Sequence, residues 1–194
     1  MSQILARPGY LWDMATTPQI LAANWADMDT GGMGVIEFLN SQFDRTVTWE
    51  DAKWIKEAWG GPFAIKGIAR PDDASRCLDA GADAVWISNH GGRQLDTAPA
   101  TIDTLPDICA AVRGQADIIR DGGIRRGTDI IKALALGADA VAVGRPYLFG
   151  LGAAGEAGVT RALDILLSAL ERDMALVGAS RLSDLTPDFV RIPH

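Results

Sequence analysis

The chain is short of the residues that build metal centres, disulfide frameworks and nucleic-acid surfaces. Its 194 residues include two cysteines, Cys77 and Cys109, and two histidines, His90 and the terminal His194. Four scattered soft ligands offer no zinc spacing, so no metal site is expected. Each cysteine falls in an amphipathic helical pattern, where a packed free thiol of a reducing cytoplasm is the expected state. Positive charge is also in deficit: 18 Lys+Arg against 25 Asp+Glu give a net charge of −7. That balance argues against nucleic acid or an anionic membrane as a general partner, though it permits a local basic pocket. No charged segment followed by an apolar run opens the sequence, so no secretory signal is expected and the expected location is cytoplasmic. The most apolar stretch, 130–143, is broken by Lys132 and Asp139 and is too short to span a bilayer.

What is present is periodic. Residues 1–45 carry scattered Pro, Gly and Trp with weak periodicity, and read as an irregular loop or lid with one or two short helices. Order begins at Thr48-Trp-Glu-Asp51, a capping-box-like start with Asp in place of Glu. The helix that follows, to about Trp59, puts Ala52, Ile55 and Trp59 on one face, and Gly60-Gly61-Pro62 ends it. Strands are then expected at 63–68, 84–88, 117–120 and 140–143. Helices are expected at 71–80, 101–113, 128–136 and about 156–177, with a short helical turn in the tail. Within this region Arg76-Cys-Leu-Asp-Ala-Gly-Ala-Asp-Ala-Val-Trp-Ile-Ser88 repeats as Lys132-Ala-Leu-Ala-Leu-Gly-Ala-Asp-Ala-Val-Ala-Val-Gly144. Two copies of one βα unit imply a parallel sheet with helices outside, the beginning of either a doubly wound sheet or a (β/α) barrel.

The chemistry-bearing residues follow the strands. Lys66 ends the first, and His90 and Arg93 leave the second at Gly91-Gly92. Asp121-Gly122-Gly123-Ile124-Arg125 follows the third and Gly144-Arg145-Pro146 the fourth. Barrel enzymes gather their sites at this carboxyl end, often with a phosphate site after the last two strands. Arg93 is suited to a carboxylate fork and His90 to a proton transfer near neutral pH; a turn-capping histidine and a solvated arginine are the plain alternative. Glycines let backbone approach a ligand, and the helix starts near Thr128 and Pro146 offer N–H groups to an anion, with Arg125 and Arg145 supplying charge. Lys66, read as a charge inside a buried strand, calls for an anionic neighbour.

Taken together, these strings resemble the FMN-dependent α-hydroxy-acid dehydrogenases and oxidases, which act on glycolate, lactate or mandelate. The matching pieces are Ile65-Lys-Gly67, Ser88-Asn-His-Gly-Gly-Arg-Gln-Leu-Asp96, Asp121-Gly-Gly-Ile-Arg-Arg-Gly-Thr-Asp129, Lys132-Ala-Leu-Ala-Leu-Gly-Ala138 and Gly144-Arg-Pro146. They occur in the family's order between about Val47 and Asp184. The resemblance implies an α/β fold of (β/α) TIM-barrel type. This chain would hold its C-terminal half, strands five to eight, with the FMN-binding half-barrel and its C-terminal helix in 46–194.

By the same resemblance Lys66 and Ser88 contact the flavin, and His90, also beside the cofactor, is the catalytic base. Arg93 grips the carboxylate of a small 2-hydroxy acid. Asp121, Gly122, Gly123, Ile124, Arg125, Gly144 and Arg145 hold the ribityl chain and phosphate. The family's pocket tyrosines, a second substrate arginine and the aspartate that orients the histidine have no counterpart here, and Tyr10 and Tyr147 do not sit where the family's tyrosines do. Activity therefore calls for a complementing N-terminal half. The alternatives are a non-catalytic half-barrel that retains an FMN or phosphate site, and another phosphate-binding barrel enzyme. Open edges at 63–68 and 140–143 predict self-association, most simply a two-fold dimer closing eight strands. Apolar residues between Gly9 and Trp25 suit a packed lid over the barrel mouth, or peripheral contact with the inner face of a membrane.

Overall fold

The computed structural model describes residues 8–17 and 34–191, and divides into two compact units, Met1–Val47 and Thr48–His194. In the first unit two short helices, α1 (Pro8–Thr16) and α2 (Val35–Ser41), are described. Ile20, Leu21 and Trp25 of the apolar stretch lie outside the described residues.

The second unit opens with α3 (Trp49–Trp59), started by the Asp51 carboxylate, which accepts the Thr48 N–H at 2.7 Å. Gly60 in the left-handed region (φ 65°) stops it. The apolar face expected for this helix is not covered: Ile55 is 40% and Trp59 66% exposed, and α3 buries no residue.

Beyond α3 the chain alternates as read. The elements are β1 (Ala64–Ile68), α4 (Pro71–Asp79), β2 (Ala84–Ile87), α5 (Thr101–Val112), β3 (Asp117–Arg120), α6 (Gly127–Ala135) and β4 (Ala140–Val141). The four strands pair in parallel in the order β1-β2-β3-β4. Sequential order with helical crossovers makes this a partial (β/α) barrel. Ile87, Leu105, Ile108, Val85, Val112 and Cys77 are fully buried between the sheet and the helices α4 and α5.

The repeated Gly-Ala-Asp-Ala segments explain how the strands are spaced. Each helix ends at a left-handed glycine, Gly81 (φ 78°) and Gly137 (φ 105°). The aspartate two residues later then clamps the preceding strand. Asp83 Oδ2 accepts the Phe63 N–H at 2.7 Å, and Asp83 N–H donates to the Phe63 carbonyl at 2.8 Å. Asp139 does the same to Ile118, at 2.7 and 2.8 Å. Lys56 of α3 adds a 2.6 Å ion pair to Asp83, which with the Phe63 N–H holds that carboxyl below its usual range.

The last helix begins near Glu156, as expected, after a break at Ala154–Gly155; a further helical segment starting at Arg145 precedes the break, and the two together are α7 (Arg145–Val177). Pro146 pre-sets the helical φ at its start. α6 and α7 pack so closely that a Cβ on Gly127 would strike the backbone of Ala169 and Leu170. The tail carries two 3₁₀ turns, Leu182–Asp184 and Pro187–Phe189.

Two outcomes follow for stability and reactivity. Gly127→Ala should lose about 1–3 kcal/mol, the usual cost of overpacking, in urea unfolding; an unchanged midpoint would contradict the contact. Burial pushes both thiols up to about 11, so Cys77 and Cys109 should react with a disulfide reagent at pH 8 only slowly until the chain is unfolded.

Candidate functional site

Parallel strands place their carboxyl ends on one side, and the residues there line a cleft of about 790 Å³. It gathers Lys66, His90, Arg93, Asp121, Gly122, Gly123, Ile124, Arg125, Gly144 and Arg145, every site residue named above except Ser88, together with Trp86 and Tyr147. Ser88 lies beneath, 3% exposed, its hydroxyl accepting from Lys66 Nζ and the His90 N–H, each at 3.1 Å.

β2 is buried up to Ser88, after which the chain turns abruptly. His90 (φ 52°), Gly91 (φ 67°) and Gly92 (φ 75°) are three successive left-handed residues. For glycine this is free, but for histidine it stores backbone strain of roughly 1–3 kcal/mol. Ser88 Oγ holds the His90 N–H, and Asn89 Oδ1 accepts the Gly91 N–H at 2.9 Å, so side chains on both flanks maintain the turn. The turn leaves His90 and Arg93 exposed, both on the cleft.

Lys66 departs from its expected setting. β1 is an edge strand, and the Lys66 side chain is 44% exposed, so it is not a charge forced into an apolar interior. Its anionic neighbour is present nevertheless: Lys66 Nζ stands 3.2 Å from Asp121 Oδ2, and also lies 5.5 Å from the Trp86 ring centroid. Trp86 Nε1–H donates to the same Asp121 oxygen at 3.1 Å. The other oxygen, Oδ1, is buried without a partner. An unpaired buried carboxylate oxygen is costly, and a hydroxyl donor from a bound polyol would satisfy it.

Ahead of α6, Asp129 Oδ2 accepts the amides of Arg125 and Arg126 at 2.9 and 3.0 Å, while those of Gly127 and Thr128, at the helix start itself, have no acceptor among the described residues, as expected. That carboxylate closes the loop from within, as a capping box does. Among the described residues the amides of Gly122, Gly123, Gly144 and Arg145 have no acceptor, and no side chain caps α7. The free donors of the cleft therefore come from the double-glycine turn and the α7 start, with the Arg125 and Arg145 side chains beside them.

These groups fit FMN. Its phosphate matches the free amides and arginines, its ribityl hydroxyls match Asp121 Oδ1, and its ring matches the Lys66–Ser88 side of the cleft. Sequence reading missed Trp86 and Thr101, whose hydroxyl donates to the Asp121 carbonyl and accepts from Arg120 Nε at 3.1 Å. It missed Arg120 as well. A tryptophan in a core-facing strand reads as packing, and Thr101 as a helix start, so neither carried a distinguishing signal.

Comparison with known proteins points to the same cofactor. Residues 2–192 match the FMN-dependent dehydrogenase family. An L-lactate oxidase of Nostoc sp. is 48% identical over 162 residues, covering 84% of this chain and 44% of that protein. A pre-mycofactocin synthase of Mycobacterium tuberculosis is 43% identical, covering 98% of this chain and 49% of that protein. Among solved structures, the monotopic membrane protein (S)-mandelate dehydrogenase superposes with a TM-score of 0.88 at 36% identity, over 96% of this chain and 50% of its own. The chain spans about half the length of the relatives it matches. Matched by that family's model over residues 2–192, the chain belongs to the FMN-dependent dehydrogenase family.

Proposed function

We propose that this chain supplies the cofactor- and substrate-handling part of an enzyme that oxidises a small L-2-hydroxy acid, of the lactate, mandelate or glycolate class, to the 2-oxo acid. The observation that carries this reading is the placement of His90 and Arg93 on one cleft with Lys66, Asp121 and the double-glycine turn. FMN, when bound, supplies the two-electron acceptor for the substrate's α-hydrogen. Gly122, Gly123, Gly144 and the Arg125 and Arg145 guanidinium groups would hold its phosphate, Ile124 would flank the chain, and Asp121 would take the ribityl hydroxyls. Lys66, steadied by Ser88, would place positive charge where the ring gains electrons.

The residues divide the substrate work. Arg93 presents a planar fork that pairs with the carboxylate and sets the α-carbon's position. His90, its imidazole exposed on the cleft, takes the 2-hydroxyl proton as the general base. The aspartate that the resemblance associates with that histidine has no counterpart in this sequence, and without such a carboxylate the imidazolium is less stabilised. Full turnover thus calls for a complementing N-terminal half. A two-fold dimer is the other way to close the sheet, whose β1 and β4 edges are unpaired among the described residues. Exposed Leu148 (51%) and Phe149 (75%) near the second edge suit burial by another chain.

We also propose a cytoplasmic location with peripheral contact at the inner face of the membrane. It is supported by the exposed Leu11 and Trp12 of α1 and by the relative described as a monotopic membrane protein. No helix among the described residues is long and apolar enough to cross a membrane.

Three measurements test the proposal. Arg145→Ala should weaken FMN binding by about ten- to a hundredfold, the range for losing a charge-assisted hydrogen bond, followed by quenching of flavin fluorescence; an equal dissociation constant would remove the phosphate assignment. In the chain completed by the remaining strands, His90→Ala should abolish most anaerobic flavin reduction by lactate and mandelate while FMN stays bound, and Arg93→Lys should raise KM steeply. Reduction at the unaltered rate in His90→Ala would sink its role as base. Light scattering should show an assembly larger than the 20.6 kDa monomer; a monodisperse monomer would remove the self-association.

A further inference from the structure

β2 carries its one aromatic residue on the side of the sheet away from the core. Val85 and Ile87 of that strand are fully buried in the core. Side chains alternate along a strand, so Trp86 between them points the other way. It is in register with Lys66 of β1, half-buried, and lines the cleft. The scaffold does not require a tryptophan there. In the second copy of the repeated βα unit the corresponding residue is Ala142, which lines the same cleft at the exit of β4.

What Trp86 adds is contact with two charged groups. Its indole N–H donates to Asp121 Oδ2 at 3.1 Å, and its ring centroid lies 5.5 Å from Lys66 Nζ, within reach of a cation–π attraction. Those two groups are also each other's ion pair, at 3.2 Å. The pairing creates a conflict at the cofactor. Under the proposed function Lys66 supplies positive charge to the flavin ring, yet a carboxylate so near offsets that charge. The Asp121 side chain is only 15% exposed, so water screens it little. Its Oδ1 is buried without a partner, and Oδ2 has two, Lys66 and Trp86. Among the described residues the indole is thus the one uncharged donor to that carboxylate. Without it, Lys66 is the partner that remains.

We propose that Trp86 is a positioning residue that sets the reduction potential of the flavin. Its N–H holds the Asp121 carboxylate and its ring holds Lys66, so that Asp121 does not cancel the lysine's charge. The inference rests on FMN occupying the cleft with its ring toward Lys66. Anchoring Oδ2 also leaves Oδ1 turned to the ribityl hydroxyls, so the same indole serves cofactor affinity. Trp86→Phe keeps an aromatic ring and deletes the donor, which gives Asp121 over to Lys66.

The test is a redox titration of the FMN-loaded chain with dithionite against a dye of known potential, paired with FMN affinity from flavin fluorescence. Relative to oxidised FMN, Trp86→Phe should hold reduced FMN about tenfold less tightly than the wild type does, the effect of altering one hydrogen bond to a charged group. For a two-electron couple that lowers the potential by about 30 mV. Affinity for oxidised FMN should fall several-fold. Asp121→Asn removes the opposing charge and should raise the potential, and in that background Trp86→Phe should add no further change. An unaltered potential in Trp86→Phe would overturn the role. So would a drop that persists in full beside Asp121→Asn, because the indole would then act without the carboxylate. Should Trp86→Phe fail to fold, a potential in Asp121→Asn no higher than the wild type's would be decisive against the role. A wild-type chain that binds no FMN would overturn the cofactor reading itself, and this role with it.

Discussion

Everything in this molecule depends on four strands pairing in parallel in the order of the chain. Parallel pairing forces each connection to return through a helix, so one end of the sheet receives every strand exit. The clamps by Asp83 and Asp139 set the stagger at the other end, each carboxylate taking an amide of the neighbouring strand while its own N–H returns to the same residue. With the stagger held below, the residues above are delivered to nearly one level. That is how Ser88 and Asp121, separated widely in sequence, each come within 3.2 Å of Lys66.

The sheet also separates two charged environments. On one face Asp121 sits between Lys66 and Trp86, one oxygen satisfied twice and the other not at all. On the opposite face Arg120 is a buried cation, bonded through Nε to Thr101 and with Asp129, Asp121 and Asp103 as its counter-charges. The two residues are adjacent in sequence and face apart because strand side chains alternate. Thr101 joins them through a single hydroxyl, accepting from Arg120 and donating to the Asp121 carbonyl.

Much of this was legible beforehand. The Gly-Ala-Asp-Ala repeat marked where helices end and strands begin, and β3 was read with the bounds it has. The Thr48–Asp51 start and the Gly60 stop of α3 depend on local hydrogen bonds and glycine's backbone freedom, which neighbouring residues decide. Exposure was less legible. Lys66 read as buried because Phe63–Ile68 is apolar, yet an edge strand lacks the neighbour that would cover it. Ile55 and Trp59 read as a packed face for the same reason.

The sequence by itself determined the family, the order of elements and the residues at the strand exits, because those are written in local patterns and in strings as particular as His-Gly-Gly-Arg-Gln-Leu-Asp. Which donors are free was decided only in three dimensions. Asp129 consumes the Arg125 and Arg126 amides, whereas Ala100 leaves those of Thr101 and Ile102 open. Trp86 turned from a packing residue into the partner of Asp121, and Arg120 from the last residue of a strand into a buried cation bonded to Thr101. The reason is physical: a hydrogen bond or a desolvation cost belongs to a pair of groups and the space around them, and neither the partner nor the space is local in the chain.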